Sequence, residues 1–424
     1  MKILVVGAGG REHALSWKIS QSPLATKVFV APGNGGTELE TLITNVDIQA
    51  NDIEGLAEFA LEEKIDLTII GPEDPLVNGI TDRFNQIGLK CFGPSKSAAQ
   101  LEGSKEFMKK FLKRHHIPTA SYATFNDSNE AKKYVKEKGC PIVIKADGLA
   151  AGKGVTIAHS IEEAEDAINQ SLESKVFGEA GNTIVIEEFL TGEEASFIVI
   201  TDGNTAIPFA SSQDHKARDD KDKGPNTGGM GAYSPSRLES KKLEKKIIEK
   251  IIEPTLKGLK DINTKFKGFL YVGLMILDDE PFLIEYNVRM GDPECQAVLP
   301  RLKTDFLDIV VATVNGNLKN INLEWFEEKS ICVVLASKGY PDEYENNLEI
   351  KGLKKIKLQN NEYIFHAGTK IDNLEIYSNG GRVLNFVIKS NDLRIGRDQA
   401  ISLINKLNWK NGYFRKDIGY KIIP

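Results

Sequence analysis

Four runs of β-branched and aliphatic residues mark the first hundred positions: Ile3 to Val6, Val28 to Ala31, Leu67 to Ile70 and Leu89 to Phe92. Amphipathic helical patterns separate them. This alternation constrains the fold more than any other feature, because a helix-long crossover brings each strand in parallel to the last. The runs end in Gly or Pro turns, namely Gly7-Ala8-Gly9-Gly10, Pro32-Gly33-Asn34-Gly35-Gly36, Gly71-Pro72-Glu73-Asp74-Pro75 and Gly93-Pro94-Ser95. Ligands of open α/β sheets collect at those carboxyl ends. The expectation is an α/β chain of several domains that opens with a doubly wound, Rossmann-like unit over residues 1–103.

A lysine-rich helix follows from Ser104 to His115 and is closed by Pro118, giving a linker over 104–121. Residues 122–192 read as a small unit with strands at Pro141 to Lys145, Val155 to Ala158 and Thr183 to Glu187, and a helix near Ile161 to Glu173. It is small enough to move as a lid. A central unit over 193–324 carries strands at Ser196 to Ile200 and Ala206 to Ala210, a helix near Ser240 to Lys260, and the hairpin Phe269 to Leu277 with Phe282 to Asn287. Short strands with Asn and Gly turns then predict a β-rich terminal domain over 325–424.

The chain of 424 residues is 41% apolar and 27% charged, ordinary for a globular protein. A net charge of −6 gives no basic field for nucleic acid. Cys91, Cys140, Cys295 and Cys332 are scattered, never in a Cys-x-x-Cys pair, and read as reduced, buried thiols of a cytoplasmic protein. No apolar run approaches the ~20 residues of a membrane span. Neither a membrane nor a nucleic acid is expected as a partner.

Phe282-Leu283-Ile284-Glu285-Tyr286-Asn287-Val288-Arg289-Met290-Gly291-Asp292-Pro293-Glu294 is an apolar strand that ends in oxygen ligands and an arginine. Strand side chains alternate, so Glu285, Asn287 and Arg289 share a face. One carboxylate and one amide oxygen suit Mg²⁺, which fills its octahedron with water and phosphates. An arginine beyond them suits a transferring phosphoryl group. The plainer reading is an exposed strand end with a salt bridge.

Other segments add to this. Gly7-x-Gly9-Gly10-Arg11-Glu12 follows a strand and starts a helix, so it is either an anion site or a tight turn. It departs from a dinucleotide fingerprint, since Glu12 stands where a small residue belongs and the second strand lacks a terminal acid. Lys145 to Val155 is a glycine-rich loop with Lys145 and Lys153. It is not a Walker loop, and it fits a hairpin closing over phosphates. Ile184 to Glu194 passes from strand into an acidic linker, either a nucleoside-reading segment or a solvated connector. Ser211 to Lys216 and Gly224 to Pro235 concentrate glycine, amide and charge, and Gly228-Gly229-Met230-Gly231 looks shaped for close approach to a small ligand. His215 reads equally as a structural hydrogen-bonder and as a catalyst.

In order, these segments resemble the ATP-grasp enzymes, and within them the glycinamide ribonucleotide synthetase family of purine biosynthesis. The resemblance rests on Gly-Gly-Arg-Glu-His-Ala at 9–14, Gly-Pro-Glu-Asp-Pro-Leu at 71–76, the 145–155 loop, Gln-Asp-His-Lys at 213–216, the glycine-rich run at 224–235, Arg289 to Glu294, Gly-Gly-Arg-Val-Leu-Asn at 380–385 and Arg415 to Gly419. It implies ATP-grasp central domains with a mobile lid, and activation of glycine by ATP and Mg²⁺ or Mn²⁺ as glycyl phosphate, captured by the amine of 5-phosphoribosylamine. It further implies that Lys105, Lys145, Gly152, Lys153 and Gly154 hold the ATP phosphates. Glu187, Leu190 and Glu194 take the nucleoside, and Glu285 with Asn287 the metal. Arg289, Lys153 and Asp292 serve catalysis. Asp214, Lys216, Thr227, Gly228 and Asp292 shape the substrate pocket, with Gly9 and Gly10 near the sugar phosphate. A monomer with a single activity is the expectation. The charged insert Ala217 to Lys223 departs from the family pattern, which leaves that loop's path open. Leu274 to Leu277 lacks the extra acid many ATP-grasp enzymes add to the metal site.

Overall fold

Residues 1–150, 154–238 and 240–423 are described by the computed structural model. The N-terminal sheet runs in the order Ile43–Asn45, Lys27–Pro32, Lys2–Gly7, Leu67–Ile70 and Cys91–Phe92, all parallel. Ile3, Leu4, Val5 and Val6 are fully buried, as a strand covered on both faces requires. The edge strand Ile43–Asn45 was not anticipated, because three residues with mixed polarity give no period to read.

Ser104 caps the linker helix Lys105–Arg114 by accepting from the Phe107 amide at 3.0 Å. Beyond it, Tyr122–Phe125, Ile184–Glu188, Ile142–Ala146 and Val155–Ala158 form an antiparallel sheet backed by the helices Ser128–Lys138 and Ile161–Ile168. Its small core of Ala131, Val135, Ile142, Ile144, Ala164 and Ile186 is separate from the rest. The expected helix to Glu173 is α-helical only to Ile168 and continues as a wider turn over Asn169–Glu173.

The central sheet orders Ala206–Pro208, Glu193–Thr201, Gly268–Leu277 and Glu280–Asn287. A further sheet is built on Lys329–Ser337, Arg382–Ser390 and Glu362–His366. It also takes up Gly231–Ser234 and Gln213–Asp214 from the preceding region. That pairing sets the 213–234 segment against the C-terminal strands, while Gln213, donating to the Glu194 carbonyl at 2.9 Å, keeps it beside the central sheet. Among the described residues no helix is long and apolar enough to cross a membrane.

Candidate active site

Glu285 projects from the Glu280–Asn287 strand opposite Gly273, where a Cβ would lie 2.8 Å from the Glu285 Cγ. Glycine at that position therefore leaves the carboxylate its room. Glu285 Oε1 faces Lys216 Nζ at 3.3 Å, and the same ammonium lies 3.9 Å from Glu194 Oε2. Lys216, with Lys145 and Lys105 behind it, more than offsets burial and holds the Glu285 carboxyl at about 2. It stays ionised at any working pH.

Arg289 lies beyond Asn287 and is held between two acids, with Nε 2.9 Å from Glu73 Oε2 and Nη2 2.7 Å from Glu102 Oε1. Glu102 also accepts from the Val288 amide at 2.7 Å. With its amide oriented to suit its neighbours, the Asn287 nitrogen donates to Glu102 Oε1 at 3.1 Å. The two acids differ in kind. Arg289 draws Glu73 down to about 2, whereas burial pushes Glu102 up to about 7 despite Arg289. Glu73 stands within the Gly-Pro-Glu-Asp-Pro-Leu segment, whereas Glu102 carries no signal in the sequence, since one acid at a helix end gives no sign that it will be buried.

The glycine-rich loop starts where the linker helix begins. Asp147 Oδ1 accepts from the Glu106 amide at 2.6 Å, and Lys105 Nζ donates to the Gly148 carbonyl at 3.0 Å. Gly154 closes the other side, its carbonyl accepting from the Ala146 amide at 2.8 Å. Gly152 and Lys153, both expected at the phosphates, lie outside the described residues. Lys145 points to the Glu280–Asn287 strand, with Nζ 3.5 Å from the Ile284 carbonyl. Glu187, one of the residues expected at the nucleoside, has its carboxylate buried between Lys145 and Lys109. Leu190 follows in the connection after the Ile184–Glu188 strand, and the exposed Glu194 lies at the start of the Glu193–Thr201 strand.

Asp292 forms a second centre. Its carboxylate takes Arg382 Nη1 at 3.2 Å, Gln296 Nε2 at 2.8 Å and the Arg11 amide at 3.4 Å. Gly9 belongs here, because a Cβ on it would stand 3.3 Å from Asp292 Oδ2. Gly10 packs on Gln296 and Asn385, so its small size is needed by protein neighbours as well as by any ligand. Arg382 Nη1 also donates to the Gly228 carbonyl at 2.8 Å, and Thr227 Oγ1 to the Lys216 carbonyl at 2.8 Å. Asp214, half-buried with Glu294 nearby, is pushed up to about 7 by desolvation and by that second acid.

Two readings of the glycine-rich region change. Gly229 has φ of +116° and would place a Cβ 2.5 Å from Pro293, while Gly231 would meet the Cys332 carbonyl at 2.6 Å. These glycines admit other parts of the protein rather than a small ligand. His215 is structural: its Nε2 accepts from the Gly419 amide at 2.9 Å, and Nδ1 faces Asp222 at 3.5 Å. The insert whose path was open docks through Asp222, whose Oδ1 meets the fully buried Arg415 at 2.9 Å.

Among the described residues no group of three or more His, Cys, Asp or Glu side chains is arranged to hold a metal. One ionised carboxylate with one amide oxygen, ringed by Lys216, Lys145 and Lys105, fits a divalent cation that takes most of its ligands from nucleotide phosphates.

Models of the phosphoribosylglycinamide synthetase family match this chain in three parts, its N domain over residues 1–102, its ATP-grasp (A) domain over 103–295 and its C domain over 330–421. A phosphoribosylamine–glycine ligase of Vibrio parahaemolyticus is 49% identical over 424 residues, covering 100% of this chain and 99% of that protein. The enzyme of the same name from Escherichia coli K12 is 51% identical over 425 residues, with coverage of 100% and 99%. Among solved structures, phosphoribosylamine–glycine ligase from Thermotoga maritima superposes with a TM-score of 0.85 at 33% identity, over 99% of this chain and 100% of that one. A Campylobacter jejuni biotin carboxylase reaches 0.72 at 17% identity over 99% and 94%, a likeness of fold alone.

Proposed function

This chain belongs to the phosphoribosylglycinamide synthetase family and is an ATP-dependent ligase of purine biosynthesis, from which we propose the following assignment of its reaction to its residues. The enzyme joins glycine to 5-phosphoribosylamine. A glycine carboxylate oxygen attacks the γ-phosphorus of ATP, the bond to the β-phosphate oxygen breaks, and ADP leaves. The amine nitrogen then attacks the acyl carbon, phosphate departs, and the nitrogen gives up its proton to leave the amide of glycinamide ribonucleotide. The carboxylate needs this activation because an unmodified carboxylate oxygen is too poor a leaving group.

Lys105, Lys145 and Lys153, with Gly152 and Gly154, hold the phosphates, and the 187–194 segment takes the nucleoside. Glu285 and Asn287 would hold Mg²⁺ or Mn²⁺, which when bound would supply positive charge to offset that of the nucleotide phosphates. Arg289, braced by Glu73 and Glu102, faces the charge that develops as the phosphoryl group transfers. Asp214, Lys216, Thr227, Gly228 and Asp292 line the pocket where glycine meets the second substrate, with Gly9 and Gly10 toward the sugar phosphate. A lid over 122–192 keeps water from the acyl phosphate, and the enzyme acts as a cytoplasmic monomer.

The observation that carries this reading is Glu285, kept ionised by Lys216 on the strand that continues into Asn287 and Arg289. The test is phosphate release by the purified protein with ATP, Mg²⁺, glycine and freshly made phosphoribosylamine. Release that requires both co-substrates is the expected result. Binding of ATP without turnover on any amino acid would make the protein a nucleotide sensor instead.

A further inference from the structure

Lys109 is the most deeply buried charge near the nucleotide cleft, with 0% of its side chain exposed, and no part of the reaction above uses it. Its ammonium lies 2.9 Å from Glu187 Oε2, while Lys145 Nζ lies 2.9 Å from Glu187 Oε1. One carboxylate is thus shared by two lysines from different elements, the linker helix and the Ile142–Ala146 strand of the lid. Lys109 has a second partner, donating to Thr119 Oγ1 at 2.7 Å. The Thr119 hydroxyl donates onward to the Leu283 carbonyl at 2.7 Å, on the strand that bears Glu285 and Asn287. The Leu283 amide donates to the Pro118 carbonyl at 2.8 Å, so linker and strand are joined at the same point.

Charge counting gives this arrangement a purpose. A carboxylate in contact with Lys145 alone would cancel the charge that Lys145 carries toward an anion. A second ammonium on that carboxylate restores one net positive charge to the trio. We propose that Lys109 is a positioning residue for nucleotide phosphates, which neutralises Glu187 so that Lys145 keeps its charge for them and ties the lid to the strand of Glu285 and Asn287. The proposal rests on the reading of Lys145 as a phosphate ligand. Burial pushes the Glu187 carboxyl up, but Lys145 and Lys109 together more than offset this and hold it below the ordinary carboxylate range. The acid is accordingly charged, as the counting requires.

A purely structural role for Lys109 predicts something different, since removing one partner of a buried pair damages folding without regard to what the ligand carries. Calorimetric titration of the full chain with Mg·ADP and with adenosine separates the two. Lys109→Met is expected to weaken ADP binding about tenfold or more, as one lost charge near phosphates should, with adenosine binding unchanged. Lys109→Met combined with Glu187→Gln restores the net charge and should bring ADP affinity back to within about threefold of the parent. Equal losses for ADP and adenosine in Lys109→Met, or a double variant that binds ADP no better than Lys109→Met, overturns the proposal. If Lys109→Met alone does not fold, Glu187→Gln is compared with the double variant. The single variant should then bind ADP more tightly, and equality overturns the proposal. Lys145→Met run in parallel isolates the underlying reading, because unchanged ADP affinity there refutes Lys145 as a phosphate ligand and leaves Lys109 with nothing to position.

Discussion

Glu102 Oε1 lies 2.7 Å from Arg289 Nη2, and the same carboxylate accepts from the amide of Val288 and the side chain of Asn287. Three consecutive residues at the end of the Glu280–Asn287 strand and just past it are thereby fixed by one side chain at the end of the helix Lys96–Gly103. Displacement of a reacting group by about 1 Å costs on the order of a hundredfold in rate. Glu102→Ala should therefore lower kcat by about that factor while the chain remains folded. Glu102→Gln, which keeps an acceptor for the Val288 amide, should lose less. Steady-state kinetics on both variants checks this, and a Glu102→Ala enzyme within twofold of the parent would show that Arg289 needs no such support.

Glu285 supplies the metal site's only carboxylate in the proposed set, so its loss cannot be covered by a neighbour. Glu285→Ala should reduce turnover by at least about a hundredfold, in line with other losses of preorganised charge at a transferring phosphoryl group. Mn²⁺ binding in the presence of ADP, followed by electron paramagnetic resonance, should weaken in parallel. Chelation of the divalent ion should abolish turnover of the parent and readdition restore it. Full activity of Glu285→Ala at ordinary Mg²⁺ would remove this residue from the metal site.

The strands of the N-terminal sheet were legible because their burial on both faces leaves continuous apolar runs, as at Ile3 to Val6. Glu285 and Asn287 were legible for a related reason: period two assigns them one face without knowledge of any partner. The partners themselves were not. Glu102, Lys109 and Arg382 reach the site from sequence positions about 190, 80 and 90 residues away from the groups they hold, and a pairing across such a distance leaves no periodic trace. Gly229 and Gly231 misled for a matching reason. A glycine needed for contact with Pro293 or the Cys332 carbonyl reads in sequence like one needed for a ligand.

Arg415 is fully buried and meets Asp222 at 2.9 Å and Asp417 at 2.8 Å, which anchors the charged insert to the end of the chain. Removing the buried arginine strips both of its hydrogen bonds from Asp417 and one from Asp222, which keeps Lys421 at 2.8 Å, so the cost is about 1.5–3 kcal/mol, below that of a fully stranded buried charge. Arg415→Met should lower the unfolding free energy by that amount. It should also raise KM for glycine more than kcat falls, because the insert follows directly on Asp214 and Lys216. Chemical denaturation and initial-rate kinetics read the two effects separately, and an unchanged midpoint would mean that the insert is held by other contacts.

His366 sits where the N-terminal unit meets the C-terminal sheet. Its amide donates to His13 Nδ1 at 2.9 Å, its ring nitrogen Nδ1 shares a hydrogen bond with Thr369 Oγ1 at 2.9 Å, and Asn34 donates to its carbonyl at 3.0 Å. Burial, with His13 alongside, pulls its pKa down to about 3 from the ordinary 6.5. A depressed histidine pKa means that the unfolded chain takes up a proton before the folded one does. Stability from this residue is therefore complete above about pH 6.5 and is lost as pH falls from there toward 3. At about 1.4 kcal/mol per pH unit, the fall from pH 6.5 to 5 amounts to roughly 2 kcal/mol. Urea denaturation at those two values should show that loss in the parent. His366→Asn, which cannot be protonated in this range, should start less stable and show a slope smaller by about one proton. A variant slope equal to that of the parent would place the acid sensitivity elsewhere in the molecule.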